Sequence, residues 1–294
     1  MRAAAIFGPG CSSSDLKPFQ QNSELTWLFG LPATSDDADA VVVFGGDGTM
    51  HRHLAELVKL QLPVLVVPRG SGNDFARALK LRSVRDSLAA WRTFCSGGNN
   101  VRSIDLGVVT PLITDGQGAG EAPAPHYFCC VGSVGLDGDI ARRANQLPRW
   151  VRAHGGYILS LLPALWKFAA IVMKISASEA DALIARSPKP LVVAAFANAP
   201  TYGGGMKIAP RAKLDDGMID VCVIHNVNKL KLFCLFPTIY FGLHLRIQQV
   251  EYFQTERLRL ETEKRLDVYA DGEYVCRTPI EVSVARGALR VIGP

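Results

Sequence analysis

A chain of 294 residues, 48% hydrophobic and 20% charged, is long enough for two compact domains, and its composition excludes a disordered or low-complexity protein. The formal net charge of +5 suits an anionic membrane or a polyphosphate but selects neither. Seven cysteines without a CxxC pair or a Cys/His array exclude a zinc module, and their odd number argues against a closed disulfide framework; a reducing cytoplasm fits best.

The first ten residues, MRAAAIFGPG, make a poor signal peptide. Their apolar run is too short before Gly8-Pro9-Gly10, so residues 3–7 read as a first strand followed by a turn. Residues 41–44 form a second apolar strand. Leu54, Leu57 and Val58 then recur at helical spacing over 50–60, before a fully apolar strand at 64–67. Short helices are expected at 74–81 and 84–94. Continuous apolar strands alternating with helices imply a parallel sheet covered on both faces. Such sheets bind ligands outside their carboxyl edge.

After Gly97-Gly98-Asn99-Asn100 the character changes. Residues 101–109, 127–131, 191–197, 218–224, 257–261, 266–269 and 280–284 are short strand-like runs, as expected of a largely antiparallel second domain. Residues 114–125 read as a loop. Two apolar segments interrupt this half, at 157–173 and 229–250. The first holds Pro163 and Lys167; the second is broken by Pro237 and Gly242. Neither reads as a membrane-crossing helix. They read as buried helices, or as the wall of an apolar cleft or a bilayer contact with Trp166, Lys167, Tyr240, His244 and Arg246 at its rim.

Two loops carry the chemistry. Residues 41–49 read VVVFGGDGT and residues 68–74 read PRGSGND, each a strand opening into glycines. Gly45, Gly46, Gly48, Gly70 and Gly72 let a backbone approach phosphate oxygens, and Thr49, Ser71 and Asn73 add polar groups. Arg69 can neutralise phosphate charge. Asp47 and Asp74 offer carboxylates of the kind Mg²⁺ prefers, although Asp74 reads equally well as a helix cap. One helix N-terminus stabilises an exposed anion by only about 0.3–1 kcal/mol, so a triphosphate needs several N–H contacts and a metal. Neither GxxxxGK[ST] nor GxGxxG is present.

Downstream, KLDDG at 213–217 follows YGGG at 202–205, and YADGE closes the polar set at 269–273. The DDG turn reads either as a surface hairpin or as an oxygen-ligand cation site at Asp216. The YADGE turn reads either as a solvated hairpin or, facing the glycine loops, as the place where Asp271 takes a hydroxyl proton. His51 reads as a helix-surface or ligand-edge residue rather than a zinc ligand, and His126, His154, His225 and His244 as structural. Ser71 has no His/Asp partner pattern and is not read as a nucleophile.

GGDGT, LPVLVVPRGSGNDFAR at 62–77, IDLG at 104–107, YGGG, DDG and DGE together resemble the diacylglycerol/sphingoid lipid kinase family, related to NAD kinases and phosphofructokinase-like enzymes. The resemblance implies an α/β plus β fold: an N-terminal three-layer α/β nucleotide-binding domain and a C-terminal antiparallel β-rich domain with inserted helices. The first would span 1–104, completed by 287–294, and the second, lipid acceptor-binding domain 105–286. It implies ATP- and Mg²⁺-dependent phosphoryl transfer to a lipid hydroxyl, of diacylglycerol or a related glycerolipid or sphingoid lipid. ATP would contact Gly45–Thr49 and the Arg69–Asp74 loop. Asp271 would be the catalytic base with Glu273 supporting it, and an accessory Mg²⁺ would take Asp216 with backbone oxygens of Lys213 and Met218. The expected setting is the cytoplasmic face of a membrane, with no nucleic acid and no stable protein partner. An NAD-kinase-like or other small-alcohol kinase, and a noncatalytic nucleotide-dependent membrane-binding regulator, are the alternatives. Many members carry an Asn-Glu pair where this chain has His51 and Arg52, a change bearing on metal support and acceptor preference. The segment before GGDGT is also short for a full set of initial strand-helix units.

Overall fold

The computed structural model describes residues 1–20, 25–112, 124–136, 169–179, 182–186 and 189–294. Four strands pair in parallel in the order β2 (Thr26–Phe29), β1 (Arg2–Phe7), β3 (Ala40–Gly45) and β4 (Val64–Pro68). The central three are runs of alanine and valine buried along nearly their whole length, as a sheet covered on both faces requires. One helical turn, α1 (Ser13–Leu16), lies between β1 and β2 and buries Leu16. Helix α2 (Asp47–Leu60) packs Met50, Leu54 and Leu57 inward and ends where Gln61 turns left-handed at φ 53°. After the short α3 (Asp74–Ala78), helix α4 (Val84–Cys95) starts on a reciprocal Ser83/Asp86 capping box. The buried Ser87 hydroxyl donates to the Val66 carbonyl at 2.8 Å, which fastens α4 to β4.

The second half is antiparallel. Strand β5 (Val101–Pro111) pairs with the long final strand β16 (Ile280–Ile292), whose Val291 also sits in parallel register with Val64. The last strand therefore joins both halves into one sheet system. From β16 the order runs through β13 (Arg257–Thr262) to β8 (Ile171–Glu179) and β9 (Ala182–Arg186). Strands β7 (Val131–Gly135), β10 (Pro190–Ala197), β11 (Ile219–His225), β12 (Val250–Thr255), β14 (Asp267–Ala270) and β15 (Glu273–Arg277) complete the system. Phe128 of β6 (His126–Phe128), Val134, Phe196, Val221, Leu258 and Val282 fill a second core of their own. This α/β half followed by a β-rich half agrees with the fold class expected from sequence.

Several local expectations change. The single strand expected at 127–131 is two strands, because the N–H groups of Cys129 and Cys130 turn to a carboxylate instead of a ladder partner. The strand expected at 280–284 continues to Ile292 through an irregularity at Gly287, where φ is +59°. The helix expected to 81 stops at Ala78, and Lys80 sits at φ 65°. Pro237 does not break the second apolar segment: helix α5 (Lys229–Tyr240) runs through it and the turn comes at Gly242. Of the first apolar segment, 157–168 lie outside the described residues, as do His154 and most of the loop expected at 114–125. Ile171–Met173 belong to β8, correcting a helical reading there. Among the described residues no helix is long and apolar enough to cross a membrane.

Candidate active site

Strands β3 and β4 end side by side, Gly45 opposite Pro68, and the Arg69 N–H donates to the Gly45 carbonyl at 2.9 Å. The two glycine loops are thereby pressed together. A Cβ on Gly46 would stand 2.7 Å from the Gly70 Cα, and one on Gly70 2.5 Å from the Gly46 Cα. Glycine at these two positions is thus required by the mutual approach of the loops themselves. Asn73, left-handed at φ 53°, accepts the Gly70 N–H at 2.8 Å and donates to the Gly70 carbonyl at 2.7 Å, fixing the second loop. Ser71 is exposed at its tip, while Thr49 turns inward beneath Gly8 and Gly45.

The aspartates of the two loops interlock. Asp47 Oδ2 accepts the Asp74 N–H at 3.0 Å and Oδ1 the Phe75 N–H at 2.9 Å, so Asp47 rather than Asp74 caps α3. Asp74 is buried; it accepts Arg77 at 2.5 Å and the Gly204 N–H of the YGGG turn at 2.7 Å. Burial, then the neighbouring Asp74 and more weakly Asp271, push the Asp47 carboxyl up to about 6 against its backbone hydrogen bonds. Such an electronegative oxygen cluster has the donor chemistry of a hard cation.

The terminal hairpin faces the same loops. Asp271, at φ 51°, accepts the Cys129 N–H at 2.8 Å on Oδ2 and the Cys130 N–H at 2.8 Å on Oδ1. Its own N–H donates to the Val131 carbonyl at 2.9 Å. His51 Nδ1 lies 3.3 Å from Asp271 Oδ2. Glu273 stands over α2, its Oε1 3.0 Å from where a Gly48 Cβ would be. Gly46, Gly48, Gly70, Gly72, Asp47, Asp74, Asp271 and Glu273 therefore converge where β3, β4 and the β14–β15 turn meet.

Other sequence candidates stand apart. Arg69 is ion-paired with Asp15 at 2.6 Å. The DDG turn bonds to β5 and β12, and β5 in turn to β16: Asp105 accepts Gly217 and Gly287 N–H groups at 2.7 Å each, and Asp216 accepts Met218 N–H at 3.1 Å and Gln254 at 3.3 Å. Asp220 is buried beside it, its pKa raised by burial and, against hydrogen bonds from Tyr252 and Gln254, by Asp216. Asp216 and Asp220 are bridged by the Gln254 amide, and two such close carboxylates have oxygen chemistry of the kind a hard cation takes. Among the described residues no group of three or more His, Cys, Asp or Glu side chains is placed to hold a metal.

Sequence reasoning missed the Cys129 and Cys130 N–H pair, the Gly204 contact and the joining role of Asp105. Only Asp105 carried a signal, as the acid of IDLG. His244 and His225 are structural as expected: His244 is buried on the Ile208 carbonyl, which corrects its reading as a rim residue, and His225 pairs with Glu251.

Comparison with known proteins places this geometry in context. Residues 21–109 match the family described as Diacylglycerol kinase catalytic domain, and residues 130–293 the YegS C-terminal NAD kinase beta sandwich-like domain. A Diacylglycerol kinase of Mycobacterium tuberculosis (strain ATCC 25618 / H37Rv) is 31% identical over 89% of this chain and 79% of its own length. A Diacylglycerol kinase of Bacillus subtilis (strain 168) is 26% identical over 80% of this chain and 71% of its own. A solved diacylglycerol kinase structure from Bacillus anthracis str. Sterne superposes with a TM-score of 0.67 at 17% identity, covering 100% of this chain and 97% of that one. An NAD kinase from Archaeoglobus fulgidus, solved in complex with ATP, gives 0.53 at 14% identity, covering 99% and 93%. These last two likenesses concern the fold.

Proposed function

The chain belongs to the diacylglycerol kinase catalytic domain family with a YegS-type C-terminal β-sandwich-like domain, and from that premise we propose that it transfers the γ-phosphoryl group of ATP to a lipid hydroxyl. Diacylglycerol or a related glycerolipid or sphingoid lipid is the acceptor. Residues 1–104 with 287–294 carry the nucleotide, and 105–286 the acceptor.

The observation supporting this most strongly is the convergence of both glycine loops with the Asp271–Glu273 turn. Backbone N–H groups around Gly46, Gly48, Gly70 and Gly72, with Ser71, bind and orient the phosphates. Asp47 and Asp74 would hold a bound Mg²⁺, which would supply charge neutralisation at the phosphates. The Asp271 side receives the hydroxyl of the acceptor and draws off its proton, and Glu273 adds negative charge opposite the loops.

An exposed apolar face supports the choice of a lipid. Leu230 (74% exposed), Phe233 (48%), Phe241 (73%) and Leu243 (45%) project from α5 and the turn after it, beside Lys229, Lys231 and Arg246. Leu232, Leu235 and Ile239 anchor the opposite face of α5. This helix adjoins the site: the Lys207 N–H, just after the YGGG turn, donates to the Ile239 carbonyl at 3.1 Å. The Tyr240 hydroxyl has its pKa raised by burial and by the charge of Asp74. A cationic rim around large apolar residues suits an anionic bilayer surface, with the lipid headgroup entering beside Tyr240.

The test is transfer from γ-labelled ATP in parallel to diacylglycerol, a sphingoid base, NAD and a mixed lipid extract, with product identification. Label in a lipid phosphate supports the reading. Label only in NAD replaces the acceptor, and vesicle recruitment without any transfer replaces the enzyme with a binding protein.

A further inference from the structure

We propose that His51 is a positioning residue for Asp271: its imidazole closes one oxygen of the carboxylate, Oδ2, and leaves the other, Oδ1, as the atom that takes the proton of the substrate hydroxyl. The inference rests on the kinase reading above and deepens it.

The donors on Asp271 are unevenly shared. A carboxylate offers about four lone-pair sites, two on each oxygen. Oδ2 accepts the Cys129 N–H at 2.8 Å and meets His51 Nδ1 at 3.3 Å, so both of its sites are engaged. Oδ1 accepts the Cys130 N–H at 2.8 Å, and among the described residues nothing else donates to it. One lone pair of Oδ1 is therefore open. The side chain is 1% exposed, so bulk water does not compete for that lone pair and the orientation of the carboxylate decides what it can reach. Cys129 and Cys130 belong to the β-rich half, whereas His51 sits near the start of α2, just after the first glycine loop. Through His51 the acid is thus fixed relative to the loops proposed to hold the phosphates.

A neutral imidazole has one donor and one acceptor nitrogen, and an ionised carboxylate only accepts, so Nδ1 of neutral His51 carries the proton. In that state His51 orients Asp271 without cancelling its charge. The imidazolium donates from the same nitrogen, but its bond is charge-assisted, roughly twice as strong as a neutral one. It also neutralises the carboxylate that must draw off the hydroxyl proton. Neutral His51 is therefore the working form.

Burial disfavours the imidazolium, but the hydrogen bond and charge of Asp271, with the charge of Glu273, outweigh it and hold the His51 pKa above its ordinary value. Glu273 is the exposed acid of the same turn, its Oε1 standing over Gly48 on α2. It acts on His51 through charge, shifting the pH at which the imidazole becomes neutral, while Asp271 accepts the proton. His126 of β6 also faces His51; burial and then the charge of His51 depress its own pKa. The buried Cys129 and Cys130 thiols complete the titrating set, raised well above their ordinary value by burial and then by Asp271. In the step itself, the hydroxyl proton passes to Asp271 Oδ1 as the oxygen–phosphorus bond forms. The bond from the γ-phosphorus to the β,γ-bridging oxygen breaks, leaving its electron pair on ADP. Asp271 then returns the proton to solvent.

The experiment compares wild type with His51→Ala and with His51→Asn, whose amide nitrogen falls where the imidazole has Nδ1 but does not titrate. His51→Ala should lower kcat by about 10- to 100-fold with the KM for ATP held, the cost of a misplaced base. His51→Asn should restore kcat to within about threefold of wild type and keep its rate at acidic pH, where wild type loses it. An Ala variant as fast as wild type, or an acid limb unchanged in the Asn variant, overturns the assignment and leaves the lipid kinase reading intact. Full turnover in Asp271→Asn with loss in Glu273→Gln moves proton acceptance to Glu273 and also overturns it. A wild type that phosphorylates no hydroxyl removes the kinase reading itself, and this role with it. Nitrogen-15 NMR of histidine-labelled wild type reads the donor without substrate: above its pKa, His51 should be the Nδ1-protonated tautomer. An Nε2-protonated His51 overturns the inference, and where His51→Ala does not fold, His51→Asn and this tautomer decide.

Discussion

Replacing Gly46 by alanine tests the packing of the two glycine loops most directly. The new Cβ would lie 2.7 Å from the Gly70 Cα, a backbone atom that cannot rotate away. Restoring an ordinary carbon–carbon separation of about 3.5–4 Å moves the loops apart by about 1 Å. The Arg69 N–H to Gly45 carbonyl bond, now 2.9 Å, stands one residue from the point of separation and is lost in that movement. Overpacking of this kind costs about 1–3 kcal/mol. The hydrogen bond adds about 0.5–1.5 kcal/mol, so the expected destabilisation is about 1.5–4.5 kcal/mol. Urea unfolding, with ATP titration of the folded protein, measures both consequences. Nucleotide affinity should fall with stability, since both loops shift. The double variant Gly46→Ala/Gly70→Ala should destabilise by less than the sum, because one separation relieves both clashes. A Gly46→Ala protein within about 0.5 kcal/mol of wild type, with unchanged ATP binding, would refute the contact itself.

Three further outcomes follow from single contacts. Asp47, with its carboxyl raised to about 6, binds a proton more tightly folded than unfolded; its contribution is present at low pH and lost as pH rises through 6. Metal-free wild type should therefore gain about 1 kcal/mol relative to Asp47→Asn between pH 7 and pH 5, read from paired urea curves at each pH. Asp105→Asn removes one of two acceptors for the Gly217 and Gly287 N–H groups, and should destabilise by about 1.5–3 kcal/mol while raising hydrogen exchange at both amides. Phe233→Ser with Phe241→Ser should weaken binding to anionic vesicles at least tenfold while leaving ATP affinity unchanged; unchanged vesicle binding would remove α5 as the lipid-facing element.

The parallel sheet was legible because its strands are unbroken apolar runs, a pattern that only burial on both faces produces. Helix α2 was legible from Leu54 and Leu57, and both glycine loops from their place at strand ends. The elements missed were weakly patterned or hidden by a stronger local signal. Strand β2 is largely exposed, with Phe29 66% exposed at the sheet edge, and so lacks an alternating buried face. Strand β8 was obscured by the apolar segment it terminates. Pro237 was read as a breaker, yet the buried face formed by Leu232, Leu235 and Ile239 holds α5 together across it.

Contacts within the site were harder to read than its members. Asp47 and Asp74 stood out as separate acids, but their order of work comes from the register of β3 against β4. That register sets Gly45 opposite Pro68 and delivers the first N–H groups of α3 to the Asp47 carboxylate. Asp74 is then released from capping and takes the YGGG turn instead. The same logic explains His51. Read along the chain, it is a departure from an Asn-Glu pattern on a helix face; across the fold, it meets a carboxylate 220 residues away. That carboxylate is in turn pinned by the two backbone N–H groups that interrupt a strand. A break in a β-ladder leaves polar groups that burial will not tolerate unpaired, so the interruption at Cys129 and Cys130 and the acid at Asp271 require each other. The acidic turn is consequently held by the β-rich half, through the Cys129 and Cys130 N–H groups and the pairing of β14 with β7, rather than by the α/β half.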